Sequence, residues 1–229
     1  GLAAAAALAQ AGAEVILAAR SATELEAAAA ALESSGGKAS TLVLDVTRTA
    51  EATDRIFNAG RIDILCNNAG TNRPKPVWDV TEEDFDAVVD LNLKASFFVA
   101  RAAAKNMIAH KVKGVLIHMG SQMGHVGGVN RSLYCASKWG LEGLSKALAL
   151  DLASHGIRSN TIAPTFIETP MTRPFFENAE FLQSVLSRIK LGRLGQETDI
   201  MGAIVFLASD AAALMTGTSL VIDGGWTAD

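Results

Sequence analysis

Tyr134 and Lys138 stand four residues apart, and Ser121 precedes the tyrosine by thirteen. If residues 134–138 are helical, the phenol and the ammonium share one face, a turn from each other. An ammonium fixed beside a phenol favours phenolate and draws the tyrosine's pKa toward working pH, which makes the pair a candidate acid/base. A hydroxyl such as Ser121, brought in from a neighbouring strand end, could orient a carbonyl or an alcohol against that phenol. Tyrosine and lysine also occur four apart for structural reasons, so the rest of the chain must decide.

The elements that would position these groups alternate. Residues 2–10 form an alanine-rich helix that Gly12 ends, and residues 15–19 are a continuous apolar run of the kind found in strands buried on both faces. Ser21 with Glu24 predicts a capping box for a helix to about residue 34. Strands follow at 41–44 and 62–66, then a long helix from Thr81 and Asp84 through Asn92 to about residue 110. A strand at 115–119 ends before Ser121, the Tyr134 helix runs to about residue 154, and a strand covers 157–162. An irregular stretch to residue 176 leads to helices near 180–189 and 198–208 and a last strand at 219–222. This alternation predicts an α/β fold: one Rossmann-type, doubly wound parallel sheet with helices on both faces, spanning 1–229 as a single dinucleotide-binding domain with a C-terminal substrate-binding segment.

The 229 residues are 49% hydrophobic and only 6% aromatic, which suits close helix-on-sheet packing. A net charge of −4 without a basic cluster argues against nucleic acid as the main partner. No run of about twenty apolar residues predicts a membrane span, and no targeting signal is legible, so a cytoplasmic enzyme with a small-molecule substrate and no metal is expected. Cys66 and Cys135 read as free thiols of a reducing compartment. Gly1 leads straight into a helix, whereas a Rossmann sheet opens with a strand and a glycine-rich turn; the first strand and most of the phosphate loop are expected ahead of residue 1.

Gly1, Asp45, Asn67-Asn68-Ala69-Gly70, Asn92, Ser121, Tyr134-x-x-x-Lys138 and the segment from Asn160 to Thr169 occur in one order at compatible spacings. The ordered set resembles the short-chain dehydrogenase/reductase family over essentially the whole chain, and the pattern is most similar to its gluconate and keto-deoxy-gluconate dehydrogenase branch. The resemblance implies a nicotinamide cofactor and a homotetramer built on the two long central helices. It implies Tyr134 as general acid/base, Lys138 as its tuner and ribose contact, Ser121 as the donor to the reacting oxygen, and Asn92 as holder of a relay water. Asn92 could instead bond a neighbouring carbonyl, and Ser121 could cap a turn. Gly1 matches the third glycine of the phosphate loop, Asp45 and Val46 would face the adenine, and Asn68, Ala69 and Gly70 would line the cofactor channel. Pro164, Ile167 and Thr169 match positions around the nicotinamide. Asp45 could equally be a plain helix cap.

An acid at the end of the strand at 15–19 would bond a ribose 2′-hydroxyl and repel a 2′-phosphate. Arg20 stands there instead, so NADP(H) is favoured, with NAD(H) possible because Glu24 lies one turn on. Two departures from the family pattern stand out. Thr165 replaces the usual glycine after Pro164, so this turn must avoid positive φ or hold threonine under strain, and the connection from Asp45 to Ile62 is short, from a trimmed helix or absent residues.

Around the site Arg73, Gln122, His125, Asn130 and Arg131 make a polar rim that suits a hydroxylated substrate, with or without a carboxylate, better than an acyl chain; Arg73 could pair with a carboxylate, and each could also be a solvated loop residue. The segment 166–176, with Met171 and Phe175, reads as an apolar lid. The expectation is an NAD(P)-dependent oxidoreductase that interconverts a secondary alcohol and a ketone on a sugar, sugar acid or polyol. The alternatives are a 3-oxoacyl-thioester reductase, which calls for a basic patch toward an acyl carrier, and a catalytically silent nucleotide sensor, which has no need of Ser121, Tyr134 and Lys138 together.

Overall fold

The structure is a computed structural model and describes residues 1–169 and 172–228; Met171 of the expected lid lies outside the described residues. Helix α1 (Leu2–Gln10) consists almost wholly of alanine and leucine, the strongest helix formers. It closes on Gly12 at φ 96°, whose conformation frees Ala13 to donate to the Leu8 carbonyl at 3.0 Å. Strand β1 (Glu14–Ala19), helix α2 (Ala22–Ser34) and strand β2 (Lys38–Val43) follow. Ser21 caps α2 by accepting from the Glu24 amide at 3.3 Å, the Ser21 half of the expected box. Helix α3 (Thr49–Phe57) fills the short connection with nine residues.

After strand β3 (Ile64–Asn67), helix α4 (Glu82–Val89) starts on a complete capping box: Thr81 Oγ1 accepts from the Asp84 amide and the Asp84 carboxylate accepts from the Thr81 amide. The long helix expected here is interrupted. Residues Asp90–Ala95 form a π turn before helix α5 (Ser96–Ala109), and Asn92 sits inside that turn. π turns concentrate at functional sites because they re-aim side chains that regular helix would space evenly. Strand β4 (Val115–Met119), helix α6 (Ser132–Leu152) and strand β5 (Arg158–Pro164) carry the catalytic motif. The short α7 (Arg173–Phe176), helices α8 (Ala179–Leu186) and α9 (Glu197–Ala208) and strand β6 (Ser219–Ile222) complete the chain.

All strand pairs are parallel, in two pieces ordered β1-β2 and β3-β4-β5-β6. The two pieces are not hydrogen-bonded to each other between β1 and β3. Residues on β4 divide the core by their alternation. Leu116 packs with Ala100, Ala103, Met107, Leu148 and Leu152 under α5 and α6. Val115 and Ile117 pack with Ala4, Leu8, Ile204 and Leu207 under α1 and α9. Helices on both faces of a parallel sheet give the doubly wound α/β fold. Its carboxyl ends all lie along one edge, where the loops after β1, β3, β4 and β5 deliver Arg20, Asn68, Ser121 and Ile167. No helix among the described residues is long and apolar enough to cross a membrane.

Candidate active site

Lys138 is 5% exposed, with Nζ 5.5 Å from the centre of the Tyr134 ring and donating to the Met119 carbonyl at 2.7 Å. The last residue of β4 therefore anchors the ammonium that α6 presents. Ser121, two residues beyond β4, donates to Gln122 Oε1 at 2.7 Å and accepts from the Met123 amide at 3.1 Å. Ser121 therefore caps a turn, the alternative reading, and its hydroxyl also lies close enough to the phenol to favour phenolate.

The electrostatics differ from the expectation in one respect. Burial raises the Tyr134 pKa above its ordinary value, while the Ser121 hydroxyl and the Arg131 charge pull it down. Burial also lowers the Lys138 pKa to about 8, with the Glu142 carboxylate acting to raise it. Desolvation outweighs pairing because the phenol and the ammonium are both removed from water. The phenol therefore carries its proton at neutral pH.

Asn92 ties three segments together. Its Oδ1 accepts from the Thr71 amide at 2.7 Å, and its Nδ2 donates to the Thr71 carbonyl at 2.9 Å and to Ser137 Oγ at 3.0 Å. The loop after β3 is thereby held against α6. Gly70 lies in that loop, and a Cβ there would sit 3.3 Å from Asn92 Oδ1 and 3.8 Å from Lys138 Nζ. Only glycine leaves this approach to Lys138 open.

Glu142 is a participant that motif reading missed. It lies one turn beyond Lys138 and is buried, and its Oε2 accepts from Thr161 Oγ1 at 2.7 Å. Its Oε1 has no hydrogen bond and stands 3.6 Å from His125 Nε2. The Lys138-to-Glu142 spacing of four was the available signal.

The residues along the carboxyl edge fit a dinucleotide. Gly1 caps α1 without a side chain, the first turn of α1 holds no acid, and a Cβ at Gly1 would lie 3.1 Å from Asn68 Nδ2, so the helix N-terminus stays open to an anion. Asn68 and Ala69 are exposed along the same opening. Arg20 is exposed beyond β1, and the Asp45 pKa is lowered by the hydrogen bonds from Thr47 with a lesser pull from the Arg20 charge. Asp45 also accepts from the Thr47 amide at 3.0 Å and from Thr47 Oγ1 at 2.7 Å, so it does act as a local cap, with Val46 half-buried beside it.

Beyond β5, the Thr165 amide donates to the Ile222 carbonyl at 3.1 Å, and Thr165 is not among the residues with positive φ, so the turn avoids the strained conformation. Pro164 ends β5 in register with Ile222, and Ile167 bridges to Gly195. Thr169 Oγ1 lies 3.1 Å from Thr172 Oγ1. Phe166 packs against Phe176, Phe181 and Trp226 with ring centres 5.7 to 6.1 Å away, so two of the lid's aromatics form a cluster while Phe175 is exposed.

The expected rim changes character. Arg73 is engaged by Glu83 at 3.1 Å and Asp84 at 3.2 Å, and Lys75 by Asp84 at 2.6 Å. Arg73 is thus already paired within the protein rather than held out for a substrate carboxylate. Gln122 is buried on Ser121, and His125 Nε2 lies 2.9 Å from Ser219 Oγ. Arg131 is 8% exposed and lies close enough to Tyr134 for the two to shift each other, so it stands deeper than a solvated rim residue. Cys66 and Cys135 are free and half-buried, as expected for unpaired thiols, and burial pushes Cys66 up to about 11.

Comparison with known proteins agrees with this geometry. Residues 1–227 match the family model described as enoyl-(acyl carrier protein) reductase. Gluconate 5-dehydrogenase of Gluconobacter oxydans is 36% identical, covering 99% of this chain and 90% of that protein. The 3-oxoacyl-[acyl-carrier-protein] reductase of Thermotoga maritima is 39% identical, covering 95% of this chain and 89% of that protein. Among solved structures, a gluconate 5-dehydrogenase from Burkholderia cenocepacia in complex with NADP and tartrate is 34% identical with a TM-score of 0.95, covering 100% of this chain and 92% of that one. A parallel doubly wound sheet, a Ser121–Tyr134–Lys138 cluster at its carboxyl edge and relatives matched over nearly the whole chain lead to one conclusion: the chain belongs to the short-chain dehydrogenase/reductase family of NAD(P)-dependent oxidoreductases.

Proposed function

We propose that this protein is an NADP(H)-preferring oxidoreductase that interconverts a secondary alcohol and a ketone on a sugar, sugar acid or polyol. The observation that carries the reading is the placement of the half-buried Tyr134 phenol beside Ser121 and Lys138, with Gly70 on the approach to Lys138. Gly1, Arg20, Asp45, Val46, Asn68, Ala69, Gly70, Pro164, Ile167 and Thr169 hold the dinucleotide, with Arg20 on the 2′-phosphate and Lys138 on the nicotinamide ribose. When bound, the cofactor supplies or accepts the hydride at the substrate's carbinol carbon.

In the reducing direction, Ser121 turns its O–H from Gln122 Oε1 to the carbonyl oxygen and fixes its orientation. Tyr134 gives its hydroxyl proton to that oxygen as the carbonyl π pair moves onto it, and is left as phenolate. The Lys138 ammonium stabilises the phenolate, and a water at the π turn of Asn92 returns the proton. In the oxidising direction the phenolate must form first, so oxidation gains from rising pH while reduction runs at neutral pH, because burial keeps the phenol protonated.

Tyr134→Phe tests the mechanism. Turnover should fall by about 10²-fold or more while NADPH binding, read by fluorescence, stays near wild type; retention of most activity would refute the role.

The Thermotoga relative and the family description support a second reading, reduction of an acyl thioester on a carrier protein. A panel of sugar acids, polyols and 3-oxoacyl thioesters with both cofactors separates the two. Cytoplasmic work as a homotetramer belongs to the same proposal, supported by Phe97 and Ile108 on α5 and Trp139 and Leu150 on α6, which are apolar and exposed. Light scattering that finds a monomer would remove the tetramer.

A further inference from the structure

Arg131 immediately precedes α6 and ends the loop that runs through Gly127 and Gly128. It is 8% exposed, and its guanidinium has neither a carboxylate nor a hydrogen-bond acceptor among the described residues. The other cations around the site are provided for. Lys138 rests on the Met119 carbonyl, and Arg73 and Lys75 share Asp84.

A guanidinium offers five N–H donors and does not give up its proton at any ordinary pH, so burying it without an anion is costly. Nothing else explains its position as a cap, since Arg131 makes no side-chain capping bond to α6. Tyr134 lies three residues on, which places both side chains on one face of the helix start. The two charges are close enough for each to shift the other. An unpaired cation beside the proton donor calls for an anionic partner that arrives with the substrate, and the planar fork of arginine matches a carboxylate bidentately.

We propose that Arg131 is the receptor for a carboxylate on the substrate, so that the molecule worked on at Tyr134 is a hydroxy or keto acid rather than a neutral polyol or a thioester. The proposal rests on the reading of Tyr134 as the acid/base of an alcohol–ketone reaction and narrows its substrate class. It also moves the expected carboxylate partner from Arg73 to Arg131.

The test compares D-gluconate with D-glucitol, which carries a hydroxymethyl group in place of the carboxylate, on the wild-type protein, Arg131→Gln and Arg131→Lys. Binding of tartrate to the NADP-loaded protein is followed in parallel by calorimetry. Arg131→Gln should raise KM for gluconate about 10- to 150-fold, the span of charge-assisted hydrogen bonds, with kcat within a few-fold. Any turnover of glucitol should be unchanged, tartrate should cease to bind, and Arg131→Lys should restore part of both losses.

Equal losses on acid and polyol, each measured at the pH optimum of its variant because removal of the Arg131 charge also acts on Tyr134, would make Arg131 a positioning residue and overturn the proposal. Undiminished tartrate binding in Arg131→Gln, or a wild-type protein that binds neither tartrate nor gluconate, overturns it too. If tartrate binding depends on Arg131 but no alcohol or ketone is turned over, the receptor stands and the reaction reading falls. If gluconate is oxidised equally well by Arg131→Gln, the reverse holds.

Discussion

Replacing Lys138 with methionine should abolish turnover and yet stabilise the fold at neutral pH. Burial takes the ammonium's pKa from 10.5 to about 8. At 1.36 kcal/mol per unit, the charged form is roughly 3 kcal/mol worse off in the folded chain than in the unfolded one. Methionine removes that cost but leaves the Met119 carbonyl without the donor that now stands 2.7 Å away. An unsatisfied buried acceptor costs about 1–3 kcal/mol. The net gain at pH 7 is then on the order of 1 kcal/mol, a rise of ~2–4 °C in Tm for a chain of this length.

The pH dependence is the sharper signature. Between the folded pKa near 8 and the unfolded 10.5, the unfolded chain holds the more protons, so wild-type stability rises with pH through that window. The variant's advantage should be largest below pH 8 and turn into a deficit of about 1–3 kcal/mol, that of the lost donor, near pH 10.5. Urea unfolding of both proteins at pH 7 and pH 10 measures it. A Lys138→Met difference of the same sign and size at both pH values would refute the picture of an uncompensated buried ammonium.

Three further outcomes follow from the geometry. Arg20→Asp should move the ratio of kcat/KM values from NADP(H) toward NAD(H), since an acid there repels the 2′-phosphate; an unchanged ratio would take Arg20 out of the cofactor site. His118 is fully buried with Nε2 unpaired, and burial lowers its pKa from 6.5 to about 4, so stability should fall by roughly 3 kcal/mol as pH drops through that window. His118→Gln should flatten that acid slope in melting curves. Asp84→Asn weakens the contacts to Lys75 and Arg73 while keeping the shape, and should cost ~1–3 kcal/mol in urea unfolding; a loss within error would mean these cations stay solvated.

Local signals made most of the fold legible. Alanine content and Gly12 define α1, a largely apolar run defines β4 over residues 115–119, and Thr81 with Asp84 marks the start of α4. The π turn was not legible, because the apolar periodicity of residues 82–109 runs on without a break and only Asn92's bonds to Thr71 and Ser137 reveal why the helix widens there. The site's membership was legible for Ser121, Tyr134 and Lys138, whereas its electrostatics were not. Whether an ammonium lowers a phenol's pKa depends on how much water both have lost, and no spacing rule reports that. Arg73 and Arg131 show the same limit. One is captured by acids ten and eleven residues away, and the other is buried by a glycine loop that looks solvated in the sequence.

The two cations left on the first two turns of α6 clarify how the fold divides its cost. Arg131 and Lys138 flank one phenol, and burial lowers the pKa of each, so the charged forms of both are disfavoured in the chain as it stands. A protein selected only for stability would neutralise them, as Asp84 does for Lys75 a short distance away. In the proposed mechanism Lys138 needs its charge for the phenolate that appears only during turnover. By the same logic an unpaired Arg131 needs a partner that appears only when substrate is present. Arg131 is the N-cap residue of a 21-residue helix that carries Lys138, and the Met119 carbonyl of the sheet together with Glu142 one turn on holds the Lys138 charge in place. Binding energy from an acid substrate is then gained beside the reacting oxygen, where it can hold the carbinol carbon in register with Tyr134.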